Sequence, residues 1–152
     1  MQTILISGDH GGFILKDKLK AYLIKKGLKV KDLGTYSLAR CDYPQFAAAL
    51  GELVSQGKYK MGISVCKSGI GNSIVLNRFQ GVRAALCYNL KSVRLSREHN
   101  DSNVLVLGGY FVNEKLARRM VWLWLNTKFQ GGRHQKRLKQ VKEIEKTIKL
   151  RG

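Results

Sequence analysis

The chain reads as an α/β protein, with helices layered on a mostly parallel sheet. Three observations predict this. Short apolar, β-rich runs alternate five times with longer amphipathic stretches. Glycine-rich turns follow the first and third of these runs. A length of 152 residues with 44% hydrophobic residues suits one domain with a full core, which excludes both two ordinary domains and intrinsic disorder.

Thr3 to Ser7 is the first strand and stops at Gly8-Asp9-His10-Gly11-Gly12. Phe13 to Lys26 is a helix: Leu15, Leu19, Tyr22 and Leu23 recur at helical spacing, lysines take the other face, and Gly27 ends it. Leu28 to Leu33 alternates apolar with polar, as an edge strand does. Asp42-Tyr43-Pro44 opens a second helix, with Pro44 in the first turn and Gly57 beyond the end. Met61 to Cys66 is the third strand and runs through Lys67-Ser68-Gly69-Ile70-Gly71-Asn72-Ser73 into a third helix.

Arg83 to Tyr88 is the fourth strand, Leu90 to Arg97 a short helix, and Asn103 to Leu107 the fifth strand. Asn113 caps a helix from Glu114 to Leu125. Leu116, Met120, Val121, Trp122, Leu123 and Trp124 make that helix apolar on more than one side, so it is either central or covered by a partner chain. After Gly131-Gly132, a strongly basic helix carries Leu138, Val141, Ile144 and Ile148. The expectation is one domain over residues 1–152. It is a Rossmann-like three-layer α/β/α sandwich with a five-stranded, mostly parallel sheet and a C-terminal helical extension. The helix over about 133–150 is expected to pack on a partner subunit.

No run approaches the roughly 18 apolar residues of a membrane span. The start, MQTILISGDHGG, reaches an acidic residue and glycines too soon for a signal peptide. Three cysteines without C-x-x-C spacing suggest neither a disulfide framework nor a zinc site, and a reduced, cytoplasmic setting fits them. The charge is the unusual quantity: 28 Lys plus Arg against 10 Asp plus Glu, a net +18 that invites a phosphate-bearing partner.

Ligands of open parallel sheets bind beyond the carboxyl ends of the strands. Two such ends here join reactive side chains to glycines ahead of a helix, where backbone N–H groups can approach an anion. Neither end is a dinucleotide or Walker signature, so a small anionic ligand is expected rather than a nucleotide. The three histidines, His10, His99 and His134, each lie in a polar cluster suited to proton transfer. Cys87 sits in an apolar strand as an inert thiol, and Cys41 sits in a loop. Cys66, before a helix N-terminus and beside Lys67, is expected to have a lowered thiol pKa. Arg133 and Arg137, four apart, project from one helix face as a fork for phosphate.

Five segments recur together in one order: Asp9-His10-Gly11-Gly12-Phe13; Asp42-Tyr43-Pro44; Cys66 with Gly69-Ile70-Gly71-x-Ser73-Ile74; Ser96-Arg97-Glu98-His99-Asn100-Asp101; and Gly131-Gly132-Arg133-His134-Gln135-x-Arg137. Up to about Glu145 the chain thereby resembles the ribose-5-phosphate isomerase B family, which also includes the galactose-6-phosphate isomerase subunits. The resemblance implies aldose–ketose isomerisation of a phosphorylated sugar through a cis-enediolate, without metal or organic cofactor. Cys66 is then the base moving a proton between C1 and C2, and His99 opens the furanose ring from the second subunit of a dimer. Asp9, His10, Tyr43 and Asn100 contact sugar hydroxyls or the reacting end. The backbone from Lys67 through Ser68, Gly69, Ile70 and Gly71, with the Ser68 hydroxyl and Ser73 nearby, stabilises the enediolate. Arg133 and Arg137 hold the phosphate, with His134 beside them.

Two positions depart from the family pattern. Lys67 stands where the family has a glycine, and either strains the loop, narrows the pocket or adds a cation. Tyr110 stands where many relatives have an arginine that helps to bind phosphate. Ribose 5-phosphate is the expected substrate, with a hexose 6-phosphate (allose or galactose) as the alternative, and a homodimer or homotetramer as the expected assembly. A basic nucleic-acid-binding protein on this scaffold is the alternative of another class. No aromatic RNA-binding motif or helix-turn-helix accompanies the lysines, which argues against it.

Overall fold

The computed structural model describes residues 2–151. Five strands, β1 (Thr3–Gly8), β2 (Lys29–Asp32), β3 (Gly62–Cys66), β4 (Ala84–Leu86) and β5 (Val104–Gly108), form one sheet in the order β2-β1-β3-β5-β4. All four pairings are parallel. The helices are α1 (Phe13–Lys25), α2 (Tyr43–Ser55), α3 (Ile70–Leu76), α4 (Leu90–Glu98), α5 (Glu114–Asn126) and α6 (Arg133–Arg151). The Rossmann-like sandwich expected from the alternation is present, and so is the C-terminal helix. β4 is shorter than the Arg83 to Tyr88 run suggests. Cys87 leaves the ladder after one further N–H bond to the Val106 carbonyl.

Two apolar layers cover the sheet. Leu19 and Leu23 of α1, Val93 of α4 and Ala117, Met120, Val121 and Trp124 of α5 pack on one face. Ala47, Leu50 and Val54 of α2 and Leu76 of α3 pack on the other. Strands β1, β3 and β5 read as continuous apolar runs because both their faces are covered, whereas β2 alternates at the edge. Trp124 is fully buried and its indole N–H donates to Ser102 Oγ at 2.8 Å, which fixes α5 as a central element.

One expectation fails in α1. Its lysines do not all face water: Lys16 is fully buried, with Nζ 2.8 and 2.6 Å from Asp32 Oδ1 and Oδ2 at the end of β2. The long stem crosses the apolar layer and its ammonium finds a carboxylate, which helical spacing alone cannot reveal. Burial alone would raise the Asp32 carboxyl. Its hydrogen bonds with Lys16, the Gly34 N–H and Lys20 outweigh burial and hold it below the ordinary carboxylate range.

The chain leaves β1 for β2 on one side and returns to β3 on the other, so the sheet's switch point lies between β1 and β3. α6 stands apart from both layers. Its Glu145 Oε1 accepts the Gly81 N–H at 3.0 Å, while Val141, Ile144 and Ile148 remain exposed.

Candidate active site

At the C-terminal edge of the sheet, the ends of β1, β3 and β5 converge. Gly12 and Gly108 are required there by close approach. A Cβ at Gly12 would overlap the Val65 carbonyl, and one at Gly108 would overlap the Ser68 backbone. The Gly109 and Tyr110 N–H groups donate to the Cys66 and Lys67 carbonyls, both at 2.8 Å, tying the loop after β5 to the loop after β3. Asp9, itself buried, turns its Oδ1 onto the Gly12 N–H at 3.0 Å. His10 Nδ1 lies 3.1 Å from the Cys41 carbonyl and 3.2 Å from its N–H, which leaves Nε2 unengaged by these contacts.

Cys66 ends β3 and is 5% exposed. The Gly69 N–H donates to its Sγ at 3.0 Å. Gly69 takes a left-handed φ of 83°, so the chain doubles back over the sulfur before α3 begins. The expected lowering of the Cys66 pKa does not occur. Burial pushes the thiol up, and the neighbouring Asp9 carboxylate adds to this. The Gly69, Asn72 and Ser68 N–H groups offset only part of it. Ser68 Oγ accepts the Ile70 N–H at 3.1 Å, and the Ser73 N–H donates to the Gly69 carbonyl at 3.0 Å. Tyr43, at the start of α2, lays its ring against Gly71, where a Cβ would collide with it. Lys67 is exposed and unstrained: among the described residues, Asp101 is the only non-glycine with positive φ.

Below this loop lies a polar layer not singled out from the sequence. Asn72 Nδ2 donates to Ser64 Oγ at 2.8 Å, and both side chains are buried. Ser7 pairs with Ser64 across the β1–β3 ladder and is buried as well. The available signal was a serine near the end of each otherwise apolar strand, Ser7 in β1 and Ser64 in β3.

His99, Asn100, Arg133, His134 and Arg137 are elsewhere. Residues 99–103 link the end of α4 to the start of β5, which places His99 and Asn100 at the opposite, N-terminal edge of the sheet. There the His99 and His134 rings stack, with centroids 4.1 Å apart and planes 13° apart. Burial lowers the His134 pKa, and the charges of His99, Arg133 and Arg137 lower it further. Arg83 Nη2 and Arg97 Nη1 clamp the bend between them, at 2.9 Å from the Asp101 carbonyl and 2.7 Å from Asp101 Oδ1. The Gln130 N–H donates to the Glu98 carbonyl at 3.1 Å and brings the start of α6 to the same place. The expected site residues thus form two groups, on opposite edges of one subunit. No group of three or more His, Cys, Asp or Glu side chains fit to hold a metal ion occurs among the described residues.

The family model described as Ribose/Galactose Isomerase matches residues 4–141. The chain belongs to this family. Ribose-5-phosphate isomerase B of Escherichia coli is 43% identical over 145 residues, covering 95% of this chain and 97% of that one. The solved Clostridium thermocellum ribose-5-phosphate isomerase B superposes with a TM-score of 0.94 at 44% identity, over 97% of this chain and 99% of that chain. The Mycoplasma genitalium ribose-5-phosphate isomerase B, solved with bound ribulose 5-phosphate, gives 0.90 at 36% identity, covering 95% of this chain and 96% of that one. Membership in the ribose/galactose isomerase family and a parallel Rossmann-like sheet therefore coincide in this chain. No helix among the described residues is long and apolar enough to cross a membrane.

Proposed function

We propose that this chain isomerises ribose 5-phosphate to ribulose 5-phosphate through a cis-enediolate, in sites that two copies of the chain build together. The observation that carries the chemistry is Cys66: a buried thiol under a backbone N–H at the sheet's switch point, in a chain of this family. The ribulose 5-phosphate bound to the Mycoplasma relative supports the choice of substrate. The Cys66 thiolate takes the C2 proton of the open-chain aldose and electrons move to O1, giving the enediolate. The thiol then returns the proton to C1 while the O2 proton passes to O1, so the carbonyl ends at C2 and the thiolate is restored. A raised thiol pKa makes the thiolate scarce at neutral pH and a stronger base once formed. The loop over Lys67 to Gly71, with Ser68 Oγ, supplies donors where the enediolate charge grows, as an oxyanion hole does. Asp9, His10 and Tyr43 surround the sugar from the same subunit.

His99, Asn100, Arg133 and Arg137 complete the site from the partner. One subunit holds them at the wrong edge for its own Cys66, so pairing is what unites base, ring-opening histidine and phosphate ligands. α6, with Val141, Ile144 and Ile148 exposed, is the element placed to pack on that partner. Three free thiols accord with a cytoplasmic setting.

Turnover of ribose 5-phosphate, allose 6-phosphate and galactose 6-phosphate tests the substrate. A ten-fold or greater kcat/KM preference for the pentose is expected, and a hexose preference overturns it. Mixing inactive Cys66→Ala and His99→Asn proteins tests the shared site. Random reassortment leaves one intact site in each mixed dimer, so about a quarter of wild-type activity returns. No recovery, with mixed dimers demonstrated by mass spectrometry, rejects it.

A further inference from the structure

Lys67 is the least explained group at the C-terminal edge. Its backbone is relaxed, so strain does not account for it. Its side chain follows a defined path. A Cβ built on Gly11 would overlap the Lys67 Cγ and stand 2.9 Å from its Cε. The stem therefore lies across the bare backbone of Gly11, in space that any other residue at position 11 would fill. The Lys67 carbonyl meanwhile holds the Tyr110 N–H, and Gly109 lies close to both the Cys66 and Gly11 carbonyls. The stem thus leaves the β3 loop and crosses toward the β1 loop, while its backbone anchors the β5 loop.

The direction matters. The Gly69 N–H on the Cys66 sulfur and the Tyr43 ring over Gly71 lie on the α3 side, whereas the Lys67 stem crosses over Gly11 to the α1 side. Its ammonium pairs with none of the carboxylates: among the described residues, every salt bridge uses another cation. Tyr110 beside it is 71% exposed and carries no charge. Within the turns after β1, β3 and β5, Lys67 is therefore the cation left outside any salt bridge, and its stem runs over Gly11.

Resting on the isomerase reading above, we infer that the Lys67 ammonium, carried over Gly11, is a substrate-specificity group that grips the phosphate end of the sugar while Cys66 works at the other end. The enzyme then holds its substrate's phosphate from both subunits, with Lys67 on one side and the partner's fork on the other.

Lys67→Met keeps the stem and removes the charge. The expected result is a ten- to hundred-fold rise in KM for ribose 5-phosphate, with a far smaller change in kcat, and restoration by Lys67→Arg. Inorganic phosphate, used as a competitive inhibitor and as a thermal-shift ligand, should weaken by a similar factor in Lys67→Met. Gly11→Ala, checked by its melting profile, should displace the stem, raise KM likewise and add little in the double variant. Unchanged KM and phosphate affinity in Lys67→Met overturn the inference. So does a loss confined to kcat, which would assign the charge to the enediolate. An inactive wild-type protein would instead fail the parent reading, and the thermal shift with phosphate would still decide the role of Lys67.

Discussion

At the scale of single residues, environment matters more than residue type. Cys66 ends a strand and precedes a helix, a position that favours a thiolate, yet burial dominates and raises the thiol pKa. The expected consequence is a kcat/KM profile that rises with pH, with its limb above the ordinary thiol range, and slow alkylation by iodoacetamide at pH 7. A plateau already reached near pH 7 would contradict this. His134 shows the opposite shift. Its folded pKa lies below the ordinary histidine value, so the unfolded chain binds a proton more readily as pH falls from about 6.5. The stability it supports is complete above that value and lost on acidification through the lowered one. His134→Phe keeps a ring on His99 without the titration. Its melting temperature should fall less between pH 7.5 and pH 5.5 than that of the parent. Cys66, His99 and the glycine-rich turns could be singled out from the sequence. The sign of the Cys66 shift was not, because desolvation depends on what covers a side chain and not on its neighbours along the chain.

At the scale of elements, caps and periodicity were legible almost to the residue. Asn113 Oδ1 accepts the Leu116 N–H at 2.8 Å, as the pattern ahead of α5 predicts. Asn113→Ala should cost about 1 kcal/mol in urea unfolding. The buried pair between α1 and β2 was illegible, since a lysine at a polar-face position looks the same whether it meets water or a carboxylate. Lys16→Met should destabilise the protein by about 3 kcal/mol, because Asp32 is left buried with only Lys20 and the Gly34 N–H. The Asp32 carboxyl is held low, so its contribution is complete above the ordinary carboxylate range and disappears as pH falls through the lowered value. The Lys16→Met protein should therefore show a flatter acid-side stability curve. Ser64 and Asn72 were missed for a related reason: two polar residues separated along the chain reveal their partnership only after β3 and α3 pack.

At the scale of the whole molecule, the sheet order explains why the expected site residues fall at opposite edges of one subunit. Parallel strands put loops after β1, β3 and β5 at one edge and the loop before β5 at the other. The sequence motifs were legible, but their separation was a property of topology. The net charge of +18 bears on both halves of the function. It draws a dianionic sugar phosphate inward and, in the proposed dimer, would set two like-charged copies against each other. Added salt should lower kcat/KM by screening the first effect and favour association by screening the second. Stopped-flow kinetics and sedimentation across a salt series would separate the two. A rise of kcat/KM with salt at saturating subunit concentration would contradict the attraction.

The clamp that Arg83 and Arg97 place on Asp101 has a consequence for how such a protein ages. Asp101 sits in a left-handed backbone conformation immediately after Asn100, and both guanidinium groups hold that bend. Deamidation of Asn100, whose carbonyl accepts from Arg83 Nε at 3.1 Å, would set a new negative charge next to that clamp. Stored samples should then lose turnover while keeping their melting temperature, the loss tracking a one-dalton mass gain at that one peptide.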